Sequence, residues 1–187
     1  VLDLAVENHI EKEKLILSYI GTRVAEFQIG HSNCEIGDYF KIGYLGSNLE
    51  YEEKGYPFLL DALEEMDSSY AAKIELVLTT TTRDKDAYIQ KKLKKFHNVK
   101  IIHGYSHADL HNILTGVNLG VIPALWEDNL PQVAIEMVAF GVPILSSSAG
   151  GASELTRSDA FRFNVGDTED FLKKIYAIVD QEVSLDE

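Results

Sequence analysis

At 187 residues, with 45% apolar and 25% charged content, the chain has the make-up of a soluble globular protein and is long enough for one α/β domain with a substantial core. A net charge of −13 excludes a general nucleic-acid binder, which would be basic, and gives no whole-chain attraction to anionic lipid. The single cysteine, Cys34, excludes an internal disulfide, and no apolar run approaches the ~20 residues that a membrane-spanning helix needs.

Residues 1–39 are the least regular part. Positions 7–19 read as helical, with Lys and Glu on one side, and Gly21, Gly30 and Gly37 divide positions 20–39 into short pieces. This part is expected to be an interdomain connection or the tail of a preceding domain. The chain opens on Val1, shows no secretory signal and has methionine only at Met66 and Met137, so a piece of a longer protein in a reducing compartment is expected.

From Phe40 onward strands and helices alternate. Residues 40–45 form a short apolar strand, and a loop through Lys54-Gly55 enters a helix over 56–65 with Pro57 in its first turn. Strand 74–78 precedes Thr79-Thr80-Thr81-Thr82, whose hydroxyls are read as caps for a charged helix over 84–96. The run Lys91-Lys92-Leu93-Lys94-Lys95 is taken as a solvated face of that helix. Strand 99–102 is closed by His103-Gly104, and Ser106 caps a helix carrying Leu110, Ile113 and Leu114. Strand 117–122 ends at Pro123. In the next helix Asp128 and Asn129 are the N-cap candidates, Pro131 fits the first turn, and Val133, Ala134, Met137 and Val138 recur at helical spacing. Gly141 and Pro143 stop it, and 142–145 reads as a buried strand. Gly150-Gly151 opens a turn, 161–165 is the last strand, and Thr168 caps a final helix ending near Gln181. About six alternations predict a doubly wound parallel sheet with Rossmann-like crossovers. No Gly-x-Gly-x-x-Gly or Walker sequence is present, which argues against a standard NAD or P-loop site.

Several motifs occur in a telling order. Lys54-Gly55 follows the first strand, Gly104-Tyr105 the third, and Asp128-Asn-Leu-Pro131 precedes Glu136 by eight residues, counted from Asp128. Gly141-Val-Pro143 and Gly150-Gly-Ala-Ser-Glu154 come after. Over residues 40–181 this order resembles the signature of the retaining family 4 glycosyltransferases, two-domain GT-B enzymes that use nucleotide sugars. The resemblance implies that 40–187 is the nucleotide-sugar-binding half of such an enzyme and that the acceptor side lies in an absent N-terminal domain.

The resemblance also implies roles. Gly46, Ser47 and Lys54 would meet the donor diphosphate, because glycine lets backbone approach an anion and Lys54 adds positive charge. The family carries Arg where this chain has Ser47, so one cation facing the pyrophosphate is missing. His103, Gly104 and Tyr105 would lie by the base. Asp128 would bond the donor sugar, with Glu127, one residue out of register, the other candidate for that role. Asn129, Leu130, Pro131 and Gln132 would bring the helix start to sugar or phosphate, although Pro131 has no N–H to give. Glu136 would accept both hydroxyls of the ribose cis-diol. Glu154 marks a turn that is either beside the donor sugar or a plain connection. His107 and His111 stand four apart on a helix, a spacing able to hold a metal, but lack a third ligand. No metal and no cofactor are expected, the donor being a substrate. The implied activity is transfer of a hexose-type sugar from a nucleoside diphosphate to a glycan or lipid-linked acceptor. Its place would be the cytoplasm, or peripherally the inner face of the membrane. A non-catalytic nucleotide-sugar-binding module and a GT-B-type epimerase are the competing readings.

Overall fold

The computed structural model describes residues 6–16, 36–46, 50–156 and 158–185. Six strands, β1 (Phe40–Tyr44), β2 (Ile74–Thr80), β3 (Asn98–His103), β4 (Leu119–Ile122), β5 (Ile144–Ser147) and β6 (Arg162–Phe163), form one sheet. Its order is β3-β2-β1-β4-β5-β6, and every pairing is parallel. This is the doubly wound Rossmann order, in which the chain starts at the centre and reverses direction between β1 and β4.

Helices α1 (Tyr56–Glu65), α2 (Ser68–Ala71), α3 (Asp86–Lys92), α4 (Leu110–Leu114), α5 (Gln132–Ala139) and α6 (Thr168–Val179) supply the crossovers. Because strand side chains alternate between faces, two cores result. Ile42, Leu76, Leu78, Leu119, Val121 and Leu145 pack on one face under α1 and α6. Val117, Ile122 and Ile144 pack on the other against α4 and α5. On α6, Phe171, Leu172, Ile175 and Ile178 are buried, one apolar stripe at helical spacing.

The alternation and the bounds of α1 agree with the sequence reading, and several details correct it. Thr79 and Thr80 are not helix caps. They continue β2 and are buried. Thr79 Oγ1 accepts from Gly46 N at 2.9 Å and donates to Gly46 O at 2.8 Å, tying β2 to the end of β1. Helix α3 is shorter than 84–96 because the chain turns at Leu93, where Phe96 N bonds Leu93 O and the Phe96 ring enters the core. Strand β5 starts two residues later than expected, since Val142 N bonds back to Met137 O. The cap of α6 is Asp167, whose carboxylate accepts from Asp170 N at 2.9 Å, not Thr168. Residues 6–16 form short turns, including a 3-10 turn at Lys12–Lys14, in place of a continuous helix. None of them is buried, and a short helix without a packed face is marginal in water.

Candidate functional site

Open α/β sheets bind ligands outside the carboxyl ends of their strands where the strand order reverses. Here the β1–β4 boundary opens into a cavity of about 460 Å³. Its floor is Tyr44, Leu45 and Gly46 from the end of β1 and Ile122, Pro123 and Ala124 from the end of β4. Thr80, Thr81, Gly104 and Tyr105 form one side, and Lys54, Asp128 and 130–133 form the other.

Lys54 reaches the cavity because two loops meet without side-chain clearance. Gly55 has φ +76°, and a Cβ there would lie 1.7 Å from Pro123 O. Leu125 N donates to Glu53 O across the same seam at 2.9 Å. Lys54 Nζ then sits 2.7 Å from Asp128 Oδ2 and 5.1 Å from the centre of the Trp126 ring.

The loop carrying Asp128 is braced from behind by Gly150 and Gly151. Gly151 N donates to Asp128 O at 2.8 Å, and a Cβ on Gly151 would lie 1.8 Å from Asn129 O. Glu127 is turned to this brace, its Oε2 accepting from Gly150 N at 2.8 Å. The Gly150-Gly151 segment therefore shapes the loop, and Glu154, exposed beyond it, is not part of the cavity wall.

Helix α5 begins at Gln132 with Pro131 in the capping position and no side-chain cap bond. This corrects the expectation that Asp128 or Asn129 caps it and that Asp128 and Glu136 share one helix. Asp128 lies in the preceding loop, its carboxylate held by Lys54 in place of helical N–H groups. Leu130, Pro131 and Gln132 do border the cavity, whereas Asn129 does not.

Glu136 is only 4% exposed and sits one helical turn beyond Gln132 and Val133. Its Oε1 lies 3.0 Å from His107 Nε2. Burial pushes its carboxyl above the usual carboxylate range, and His107 opposes that rise by its charge and hydrogen bond. The Tyr105 hydroxyl is pushed up to about 12 by burial and then by the charge of Glu136.

His103 is engaged behind the wall, Nε2 to Asp86 Oδ2 at 2.9 Å, and does not border the cavity. His107 faces Glu136, while the His111 ring lies 6.4 Å from that of Phe140. Among the described residues no group of three His, Cys, Asp or Glu is arranged to hold a metal, and no helix is long and apolar enough to cross a membrane. In the lysine run, Lys92 pairs with Asp61 and Glu64 and Lys95 bonds the carbonyls of Glu64 and Met66, while Lys91 and Lys94 are exposed. Ser47 lies outside the described residues. The structure thus gathers Gly46, Lys54, Gly104, Tyr105, Asp128, Leu130, Pro131 and Gln132 around one cavity, while Glu136 is buried one turn along α5 beyond the lining residues Gln132 and Val133. Sequence reasoning missed Tyr44 and the His107 partner of Glu136, and it read Thr80 and Thr81 as helix caps where they border the cavity. For Tyr44 and Thr80 the available signal was position, at the carboxyl ends of central strands.

Residues 39–181 match the family described as Glycosyl transferases group 1. The chain is 29% identical over 127 residues to protein CapJ of Staphylococcus aureus, covering 66% of this chain and 32% of CapJ. Its fold is similar to that of the lipopolysaccharide outer core galactosyltransferase WaaB in its apo form, with TM-score 0.78 and 14% identity, over 98% of this chain and 51% of WaaB. It is also similar to Anabaena HepE in complex with UDP, with TM-score 0.72 and 18% identity, over 97% of this chain and 52% of HepE. The chain thus spans about a third of CapJ and about half of the other two. These likenesses show the Rossmann-like fold found in GT-B glycosyltransferases, and the family match over most of its length shows that the chain belongs to the group 1 glycosyl transferases.

Proposed function

We propose that this chain is the donor-binding domain of a retaining family 4 glycosyltransferase, transferring a hexose-type sugar from a nucleoside diphosphate to a glycan or lipid-linked acceptor. The observation that carries the reading is the cavity at the β1–β4 switch point, with Lys54, Asp128 and the start of α5 on one wall and Gly104–Tyr105 on the other. An ammonium has three donors; Asp128 holds one, which leaves two for diphosphate oxygens. The free N–H groups at the start of α5 add a second positive end. Together they stabilise the diphosphate leaving group as the glycosidic bond breaks, without a metal. Asp128 orients the sugar hydroxyls, Glu136 holds the ribose, and the acceptor hydroxyl comes from an N-terminal domain outside this chain. The enzyme would work in the cytoplasm or at the inner face of the membrane, where nucleotide sugars are available.

The test is calorimetric titration with UDP-, GDP-, dTDP- and ADP-sugars, on the wild type and on Lys54→Ala. HepE has been solved with UDP and with UDP-glucose, so uridine donors head the panel. One nucleotide class should bind, and Lys54→Ala should weaken it. Absence of binding by all four to folded protein would reject the reading. Turnover of the bound donor by the whole enzyme separates transferase from non-catalytic module.

A further inference from the structure

The carboxylate that holds the ribose in this reading does not stand alone. Glu136 is buried behind the cavity wall, and its contact with His107 crosses from α5 to the turn His107–Asp109. That turn directly follows Gly104 and Tyr105, which form the opposite wall. The His107–Glu136 contact therefore ties the two walls together at the ribose end.

The turn is itself held in place. Asp109 Oδ2 accepts from Ser106 N at 2.8 Å and from Ser106 Oγ at 2.7 Å. The His107 side chain is 45% exposed, so its ring adds little to the core, whereas the side chain of Glu136 is 5% exposed. A buried carboxylate has few ways to keep its charge and orientation, and a donor fixed on one oxygen supplies both.

We propose that His107 is a positioning residue for nucleotide recognition: its Nε2–H holds one oxygen of Glu136 so that the carboxylate is aimed at the 2′,3′-cis-diol of a ribonucleoside diphosphate. This rests on the donor-site reading and extends it. His107 does not touch the nucleotide. It sets how strongly the site distinguishes a ribonucleotide from its 2′-deoxy counterpart.

The experiment measures affinity for UDP and 2′-deoxy-UDP, and for GDP and 2′-deoxy-GDP, on the wild type, His107→Phe and His107→Gln. His107→Phe should weaken the ribonucleotide about tenfold, the scale of one hydrogen bond to a charged group, and the 2′-deoxy compound, which keeps its 3′-hydroxyl for Glu136, by about threefold or less. His107→Gln places an amide N–H near the position of Nε2 and should recover most of the discrimination. If His107→Phe weakens both compounds equally, the histidine merely supports the turn and the proposal is overturned. If it tightens the ribonucleotide, His107 competes with ribose for Glu136, and the proposal is again overturned. Wild-type protein that binds none of the four compounds removes the donor-site reading itself. Wild-type binding with an unchanged ribo-to-deoxy ratio in His107→Phe removes only the role of His107.

Discussion

Glu136 sets function against stability. Burial raises its carboxyl, so the folded state holds that proton more tightly than the unfolded chain does. Ionising it therefore subtracts stability as pH rises through the raised value. Ribose recognition needs the opposite state, an ionised carboxylate accepting two O–H donors. Nucleotide affinity should be full above the Glu136 value and fall on acidification, at a higher pH than an exposed glutamate would give. The charged and titratable groups facing it are His107 and Tyr105. Calorimetry with UDP from pH 8 downward checks this, and a flat profile would sink it. Glu136→Gln should lower affinity about tenfold or more while leaving the melting temperature at neutral pH unchanged or raised. Lys54 is the contrasting case. Its side chain is 44% exposed, and its pair with Asp128 is a partly exposed ion pair worth no more than about 1 kcal/mol to the fold. Lys54→Ala should leave the urea midpoint almost unmoved yet weaken the donor by about 10- to 100-fold, the scale of a lost charge-assisted contact. The sequence displayed both residues in motifs. It did not display that Lys54 is held by Asp128, or Glu136 by His107, because those partners are 74 and 29 positions away and meet only in the folded sheet.

At the scale of elements, what was legible is what a local period records. The bounds of α1 with Pro57 in its first turn, the stop at Gly141 and the alternation of strand and helix follow from spacing and turn chemistry, and all appear in the structure. The loop 126–131 is different. Asp128 and Asn129 are good caps on propensity, but the glycine brace behind the loop carries Asp128 toward Lys54, and α5 starts four residues later without a side-chain cap. Tertiary contact overrode local preference here, as it did where Thr79 turned from capping to bonding Gly46. Gly55→Ala should therefore damage more than its own loop. The left-handed backbone costs alanine about 1–2 kcal/mol before any clash, and the added Cβ would strike Pro123 O. A lower urea midpoint together with weaker nucleotide binding is expected, since the displaced seam carries Lys54. Normal binding in a destabilised Gly55→Ala protein would show that the seam does not position the lysine.

Across the whole molecule, each face of the sheet has its own core, and the cavity lies at the sheet's end, its floor made by the last residues of those cores, Tyr44 of one and Leu45 and Ile122 of the other. The cores fix β1 beside β4, through Ile42↔Leu119 and Gly43↔Gly120, and leave the loops beyond them to define the site. A ligand in that crevice would join loops that meet at seams such as Lys54–Asp128 and His107–Glu136. Binding to the folded state alone should then stabilise the protein by about 2.7 kcal/mol at a ligand concentration 100 times Kd. For a chain of this length that corresponds to a rise in melting temperature of roughly 5–10 °C. The gain should also be local. Amide exchange should slow at the carboxyl ends of β1 and β4, in the 104–109 turn and at the start of α5. The opposite ends of the same strands, near Phe40 and Leu119, should be affected only through global unfolding. Protection centred on the lysine face of α3 would instead place the nucleotide at a different surface and break the link between strand order and ligand position that the fold implies.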